Sequence, residues 1–467
     1  LTNPIIHRRI KLTRSEAILN KVHSNCPTKI HKIEAEIDEF IANNAKHAHL
    51  AKEFVFFENV LIRKLVEFFE TFKYITILEI NSIQLSEFEF LGAIKPLTKL
   101  HELNLHRLRV YRNHNYKPFP LAIELPTTLT NLTLYMVSAT SSPESFIKTI
   151  NSHTNLLEFK CHSNNQNEFL NPFYKSYPTL KVFEYRNQYL NSHSLYDIIG
   201  FHPQLLSLDL ELKCWNSALA NHINHHLINL EKLTLRDVSN YNTNQTIIFL
   251  NFAQLTKIKK LNITCANLSS CSLESIFLKC PDLEELGLMH YNSYLCVSLN
   301  LSINFNMPIK IKKLTTDCNV LTESSFDKFL LRCSNLKILD IQLHRDLKPL
   351  IKLIATRCTN LEHLTIFSGM YLGHADTKAF YDELTTNSSF KSTLTYLALK
   401  RLNIIHSKAE YFESFTNIKR IVFLSTARTD MRKFKKSEAE NSVWPNFKST
   451  ITEHDDGYDI ELFKLAV

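Results

Sequence analysis

Residues 280–288 read Cys-Pro-Asp-Leu-Glu-Glu-Leu-Gly-Leu. The last two leucines alternate with a glutamate and a glycine, as expected for a short strand with one apolar face. Just upstream, Leu273, Ile276 and Cys280 recur at intervals of 3 and 4 residues, which is the apolar stripe of a helix. Pro281 ends that helix. The stretch therefore predicts one unit made of a helix, a turn and a strand.

The same pattern recurs along most of the chain, each time beginning with a leucine or an isoleucine. These repeat starts are Ile75, Leu100, Leu129, Leu156, Leu180, Leu205, Leu230, Ile258, Leu283, Ile311, Leu336, Leu361, Leu394 and Ile418. Their intervals lie between 24 and 29 residues, apart from one of 33, and this is the spacing of leucine-rich repeats.

One such unit is too small to bury both its helix stripe and its strand face, so the units must stack side by side. We therefore predict an α/β leucine-rich-repeat solenoid, or horseshoe, of about fourteen units. A parallel sheet forms its concave face and helices form its convex face. The repeats span residues 72–424, between a helical N-terminal cap with a possible degenerate repeat (1–71) and a C-terminal tail and cap (425–467). In this tail, Ile460, Leu462 and Leu465 are expected to supply a final strand.

The composition argues against catalysis. Only 6 of the 467 residues are glycine, so phosphate-binding loops and oxyanion turns have little material. The mechanism-bearing strings GxGxxG, GxxxxGK[ST], GxSxG and HExxH do not occur. We therefore expect neither enzymatic activity nor a cofactor.

The net charge of +8 is concentrated at the two ends of the chain. Residues 1–50 supply +3 and residues 425–436 supply +4. The repeats between them are nearly neutral, which disfavours nucleic acid as a partner. No apolar run of 18 residues occurs, so we expect no membrane contact.

Three stretches carry a more specific likeness: residues 280–286 (Cys-Pro-Asp-Leu-Glu-Glu-Leu), 333–339 (Cys-Ser-Asn-Leu-Lys-Ile-Leu) and 358–364 (Cys-Thr-Asn-Leu-Glu-His-Leu). They resemble the cysteine-containing leucine-rich repeats of F-box proteins. The resemblance implies the substrate-recognition part of an F-box type (SCF) ubiquitin ligase receptor. In that family the repeats hold a protein substrate and the F-box docks on a cullin-ligase adaptor.

No F-box is found in residues 1–70, so this interpretation requires one upstream of Leu1. The alternative is a leucine-rich-repeat scaffold or regulatory protein without a ubiquitin-ligase role.

Two groups of residues typical of metal sites receive a different interpretation. Cys280, Cys333 and Cys358 share one position in their repeats, so we predict small buried hydrophobic residues with reduced thiols. Such thiols favour a cytoplasmic or nuclear protein. His222 and His226 share a helix face but lack the further ligands that zinc requires, so we predict no metal site.

The outward strand positions are the best candidates for function, because neighbouring strands bring these side chains into one surface. They contain nine acids and eight bases, a balance that favours a protein partner over a phosphate backbone. The predicted partner-binding residues on this concave face are Tyr135, Glu158, Glu184, Arg186, Asp209, Glu211, Arg236, Met289, Phe367 and Tyr396.

Overall fold

The chain has an α/β leucine-rich-repeat fold, as a computed structural model shows. The structure describes residues 9–12, 27–57, 62–111, 125–140, 150, 153–163, 177–187, 192–236, 249–252, 254–264, 268–289, 308–317, 322–343, 347–368, 374–386, 388–402, 404–441, 444–454 and 457–465. All fourteen predicted repeat starts are buried, and a strand begins two residues after each of them. The repeat pattern therefore predicted the strands correctly.

The chain forms two compact units. Unit 1 comprises Leu1–Cys214 and His225–Leu230, and unit 2 comprises Trp215–Asn224 and Glu231–Val467. Each unit contains parallel strands whose neighbours are successive repeats.

The main strands of unit 1 are all parallel to their neighbours. In spatial order they are β1 (Arg9–Leu12), β2 (Glu53–Phe57), β3 (Ile77–Asn81), β5 (Glu102–His106), β7 (Asn131–Tyr135), β9 (Glu158–Ser163), β10 (Val182–Asn187) and β11 (Ser207–Glu211). A second, smaller parallel sheet contains β4 (Gln84–Ser86), β6 (Arg109–Tyr111) and β8 (Ser138–Thr140).

Unit 2 contains parallel repeat strands of the same kind and ends in an antiparallel hairpin. Its strands are β12 (Lys232–Arg236), β13 (Lys260–Thr264), β14 (Glu285–Met289), β15 (Lys313–Asp317), β16 (Ile338–Leu343), β17 (His363–Ser368), β18 (Tyr396–Lys400), β19 (Arg420–Thr426), β20 (Phe447–His454) and β21 (Gly457–Lys464). Strands β12–β19 pair in parallel, whereas β21 pairs antiparallel with both β19 and β20. The hairpin therefore covers the free edge of β19.

Helices precede many of the strands, as the apolar stripes predict. They are α1 (Pro27–Asn44), α2 (Ile62–Thr71), α3 (Glu87–Ile94), α4 (Ser192–Phe201), α5 (Ser217–His226), α6 (Ser270–Lys279), α7 (Glu323–Arg332), α8 (Leu347–Arg357), α9 (His374–Thr386) and α10 (Arg428–Asn441). In α6 the stripe residues Leu273 and Ile276 are buried, and the matching residues of α7 and α8 are buried as well. The cysteines that follow these three helices are buried, which confirms the interpretation of their shared position.

The turn before each strand is held by hydrogen bonds between neighbouring repeats. The backbone N–H of Glu284 donates to the carbonyl oxygen of Lys259 at 2.8 Å, and that of Lys312 donates to Glu284 at 2.8 Å. A side chain just before the repeat start adds a further bond: the Asn360 amide donates to the Ser334 carbonyl oxygen at 2.9 Å. These bonds fix the register in which consecutive strands begin.

His202 shows how another residue fills the cysteine position. Its ring is fully buried. The Nδ1 atom lies 2.6 Å from the carbonyl oxygen of Ile198, and the Nε2 atom accepts the backbone N–H of Tyr177 at 2.9 Å. A neutral imidazole with its hydrogen on Nδ1 satisfies both contacts, so it links the end of α4 to the preceding repeat.

The ends of the chain differ in detail from the expectations. Residues 1–71, which were expected to be helical, contain α1 and α2 but also β1 and β2. Ala51 is buried, lies 24 residues before Ile75 and precedes β2 by two residues, so it starts a further repeat. Near the other end, β21 buries Ile460 and Leu462 as predicted. Leu465 lies beyond β21 and is 49% exposed, so its assignment to the strand was wrong.

The buried thiols predict a graded reaction with alkylating reagents. Burial raises the pKa of the Cys358 thiol to about 12 and that of Cys280 to about 11, although a hydrogen bond from Thr256 opposes the shift at Cys280. Cys271 is exposed. Because the thiolate is the reactive form, Cys271 should be alkylated first at pH about 8, while Cys280 and Cys358 react only after unfolding. Peptide mass mapping after timed labelling in buffer and in urea measures this order; equal rates for Cys271 and Cys358 in buffer would contradict it.

Candidate functional site

The outward side chains of unit 1 form three columns, because its parallel strands pair in register. In the strand register, Lys160 of β9 stands opposite Glu184 of β10, and Glu184 stands opposite Asp209 of β11. The first, middle and last columns contain the first, third and fifth residues of β3, β5, β7, β9, β10 and β11. We call these outward side chains the unit 1 face. Equivalent residues of neighbouring strands lie about 4.8 Å apart, so the side chains in one column touch.

A row of rings occupies the last column of the unit 1 face. The ring centroids of His106 and Tyr135 are 5.5 Å apart, and those of Tyr135 and His162 are 5.4 Å apart. All three side chains are half-buried. Burial lowers the pKa of His106, the charges of His162 and Arg107 act in the same direction, and Glu79 opposes them. The row therefore favours a neutral His106 beside an aromatic ring.

A charged network continues this row on β10 and β11. The Glu184 carboxylate accepts a hydrogen bond from His162 Nε2 at 2.8 Å and a second from the guanidinium of Arg186. Arg186 also lies 3.5 Å from the Asp209 carboxylate. The side chains of Glu184, Arg186 and Asp209 are only 12%, 23% and 13% exposed, so these charges are held in place rather than solvated.

The unit 1 face is strongly acidic. Its acids are Glu79, Glu102, Glu158, Glu184, Asp209 and Glu211, and its Lys and Arg residues are Lys160 and Arg186. Six carboxylates thus face two bases. The near balance of nine acids and eight bases in the sequence conceals this local excess.

The corresponding surface of unit 2 has the opposite sign. We call the outward side chains of the first, third and fifth residues of β12–β19 the unit 2 face. Its bases are Lys232, Arg236, Lys260, Lys313, Lys400 and Arg420, and its acids are Glu285, Asp317 and Asp340. Six bases therefore accompany three acids on β12–β19, and two further acids, Asp459 and Glu461, lie on the adjoining strand β21.

Cations stack on aromatic rings at the C-terminal end of the unit 2 face. The Lys400 ammonium and the Arg401 guanidinium each lie 5.0 Å from the centroid of the Phe367 ring. The Arg420 guanidinium, which also forms an ion pair with Glu461 of β21 at 2.5 Å, lies 5.6 Å from the Tyr396 ring and 5.4 Å from the Phe463 ring. These distances are typical of cation–π contacts, which orient the charged groups at the surface.

The structure distributes the predicted partner-binding residues over both surfaces. Six of them lie on neighbouring strands of the unit 1 face: Tyr135, Glu158, Glu184, Arg186, Asp209 and Glu211. The other four lie on the unit 2 face: Arg236, Met289, Phe367 and Tyr396.

Two of these residues are less accessible than their strand positions suggested. Counted over the whole residue, Asp209 is 9% exposed and Glu211 is 1% exposed. Asp209 contacts the Arg186 guanidinium, so its charge acts through this network more than through direct contact. A partner has readier access to Glu158, whose side chain is 26% exposed.

Three prominent residues of the two surfaces were missed in the sequence. His106 and His162 stand in the same column as Tyr135, but weighing only acids, bases and apolar anchors left histidine out. Phe463 comes from β21, which pairs antiparallel with β19 and follows no repeat pattern. The column rule itself contains the signal for the two histidines.

Within the described ranges, no group of three or more His, Cys, Asp or Glu side chains is arranged to hold a metal ion. His225 and His226 are adjacent in α5, with ring centroids 4.9 Å apart. None of the described helices is both long enough and apolar enough to cross a membrane.

Comparisons with known proteins return leucine-rich-repeat structures at low identity. No protein-family model matches the chain, and no curated protein matches it. Among solved structures, TLR13 in complex with ssRNA13 matches at 15% identity and a TM-score of 0.46, over 76% of this chain and 50% of TLR13. This chain therefore spans half the length of that protein.

Two further structures are similar at comparable identity. An internalin (inlF) from Listeria monocytogenes matches at 16% identity and a TM-score of 0.30, over 77% of this chain and 88% of the internalin. The yeast Rad7 and Elc1 complex matches at 14% identity and a TM-score of 0.30, over 85% of this chain and 92% of the matched chain.

The charged network on the unit 1 face predicts a specific loss of stability. Replacing Arg186 with Met leaves the half-buried carboxylates of Glu184 and Asp209 without their guanidinium, which should lower the free energy of unfolding by about 2 kcal/mol. The matched control is Lys160→Met, because Lys160 pairs with Glu158 and its side chain is 37% exposed; its loss should be at most about 1 kcal/mol. Urea denaturation measures both values. An equal effect of the two substitutions would show that the network is not coupled.

Proposed function

We propose that this chain is a protein-binding leucine-rich-repeat module without catalytic activity, and that the unit 1 face binds a basic segment of a partner protein. The observation that carries the proposal is the excess of six carboxylates over two bases on that face. Such an excess attracts a positively charged partner and raises its association rate. It repels a phosphate backbone, so nucleic acid is a poor fit to this surface.

The row of rings supplies an anchor inside the acidic surface. Tyr135 is half-buried between His106 and His162. A tyrosine held by its neighbours loses little conformational freedom on binding, and tyrosines in such positions often contribute much of the binding free energy. The acids surrounding it set the charge of the partner, while the network of Glu184 and Arg186 keeps the surface rigid.

Charge reversal on the unit 1 face tests the proposal. The double variant Glu102→Lys/Glu158→Lys should weaken binding of a fluorescein-labelled peptide rich in lysine and arginine by about tenfold or more. Both residues are half-buried members of the first column. Fluorescence anisotropy at low and at physiological salt measures the dissociation constants, and the difference should shrink as salt increases.

A matched control separates this site from general electrostatics. Glu70 and Asp197 are exposed on α2 and α4, away from the unit 1 face. The variant Glu70→Lys/Asp197→Lys makes the same change of net charge and should leave binding nearly unchanged. If both double variants weaken binding of the basic peptide equally, the unit 1 face is not the site.

We further propose that the module is the substrate-recognition part of an F-box type ubiquitin ligase receptor. The support is the resemblance of the cysteine-containing repeats, together with the burial of Cys280, Cys333 and Cys358 at the same point after α6, α7 and α8. The alternative is a scaffold or regulatory protein of the same fold without a ligase role.

Co-purification of the full-length gene product with the cullin-ligase adaptor distinguishes the two roles. The receptor role requires a stoichiometric complex with the adaptor that survives gel filtration. A full-length protein that binds a basic partner but never the adaptor would retain the binding proposal and eliminate the ligase role.

A further inference from the structure

The middle column of the unit 2 face contains almost only small side chains. Its residues, from β12 to β19, are Thr234, Asn262, Gly287, Thr315, Asp340, Thr365, Ala398 and Val422. The columns on either side carry long side chains at most positions. The first column contains Lys232, Lys260, Glu285, Lys313, Ile338, His363, Tyr396 and Arg420, and the last contains Arg236, Thr264, Met289, Asp317, Gln342, Phe367, Lys400 and Leu424. Of these middle-column residues, Thr234, Gly287, Ala398 and Val422 are buried, whereas Asn262, Thr315, Asp340 and Thr365 are at least partly exposed. The accessible floor of a groove therefore extends from Asn262 on β13 to Thr365 on β17, with the Asn262 side chain lying over Gly287.

We propose that this groove binds an extended, acidic segment of a partner protein, as a site separate from the unit 1 face. The first and last columns are four residues apart along each strand, which places the groove walls about 13 Å from each other. The five strands β13–β17 at about 4.8 Å give a floor about 19 Å long, which is the span of about six residues in an extended chain. These dimensions fit one polypeptide strand with its side chains directed at both walls.

The floor offers a hydrogen-bonding group suited to a peptide backbone. The side chain of Asn262 is exposed, and its oxygen lies across Gly287, only 2.3 Å from where a Cβ atom would stand at that residue. No other residue in the described part of the chain hydrogen-bonds to this amide. A carboxamide has one acceptor oxygen and two donor hydrogens, which complement the N–H and C=O of a peptide unit.

The charges of the walls select an acidic occupant. Within the described residues, Lys260 pairs with Glu285 at 2.6 Å and Lys313 pairs with Asp340 at 3.4 Å. Lys232 has no carboxylate partner among the described side chains. It thus remains available to an incoming carboxylate.

A second cationic position stands near the other end of the groove. Lys400 and Arg401 both stack on the ring of Phe367, and no carboxylate among the described residues pairs with either of them. The ring holds two cations close to one point of the surface, which favours a cluster of acidic side chains in the bound segment.

Single-stranded nucleic acid is the competing anionic occupant, and three features disfavour it. The faces of Phe367 and Tyr396 are already occupied by cations and are not free to stack on bases. Asp340 lies on the floor and Glu285 in one wall, where they would repel a continuous phosphate backbone. A peptide places its charges on alternate residues and avoids these two positions.

Filling the groove tests the proposal without altering any charge. Thr365 faces outward from β17 in the middle column, so a tryptophan there blocks the floor while leaving the core intact. The matched control is Ser324→Trp, because Ser324 is exposed on α7. A fluorescein-labelled peptide with alternating glutamates should bind about tenfold more weakly to Thr365→Trp than to Ser324→Trp or to the wild type. Circular dichroism melting verifies that both variants are folded.

Charge variants identify the chemistry of the occupant. Lys232→Gln/Lys400→Gln should reduce binding of the same peptide by about tenfold, whereas Lys328→Gln/Lys352→Gln, at exposed positions of α7 and α8, should leave it within about twofold. A single-stranded oligouridine serves as the probe for the competing nucleic-acid partner. Equal binding to Thr365→Trp and Ser324→Trp would overturn the groove. If oligouridine binds more tightly than the glutamate peptide and Thr365→Trp abolishes that binding, the occupant of the groove is nucleic acid and not a protein segment.

These outcomes are independent of the test of the unit 1 face. The two experiments use peptides of opposite charge and variants in different units. A failure of the groove proposal therefore leaves the binding proposal for the unit 1 face standing, and the reverse also holds.

Discussion

Every surface of interest here depends on the backbone hydrogen bond that joins the turn of one repeat to the turn before it. The N–H of Glu284 bonds to Lys259 and that of Lys312 bonds to Glu284, each at 2.8 Å. Because each of the fourteen predicted repeat strands starts two residues after a buried leucine or isoleucine, these bonds place equivalent residues side by side. A slip of one residue would turn every leucine outward. The register of the turns therefore determines which side chains form a column.

This constraint explains why the strands were predictable from sequence, and why the start of the possible degenerate repeat in residues 1–71 was not located. A strand leucine such as Leu286 is buried between neighbouring repeats. The spacing of these leucines stays recognisable although the other residues of the repeats vary. Ala51 occupies the same structural position but lacks the large side chain that the pattern requires. Phe54, buried on β2, supplies apolar volume in that repeat. The stacked repeats therefore accept alanine at a repeat start, although the sequence pattern requires leucine or isoleucine there.

The candidate surfaces were predictable in their columns but not in their electrostatics. The alternation along each strand assigns Glu184 and Arg186 to the outward side, and this was read correctly. It does not show that Arg186 bridges Glu184 and Asp209, since the bridge depends on side-chain rotamers. Burial of Glu211 likewise depends on packing around the strand end. The sequence itself separates the charges, because the outward acids of β9–β11 precede the outward bases of β12 and β13. The structure places the two groups in separate compact units.

The charged side chains of the two faces are held in place by different interactions. On unit 1, Glu184 and Arg186 are largely shielded from water, so their hydrogen bonds are strong and their geometry is fixed before a partner arrives. On unit 2, Lys400 and Arg401 are oriented by the ring of Phe367 and not by a carboxylate. A cation held by a ring keeps its charge available, whereas a cation in an ion pair is partly neutralised. Rigid acids on the unit 1 face, and the ring-oriented cations Lys400 and Arg401 on unit 2, favour partner segments of opposite charge.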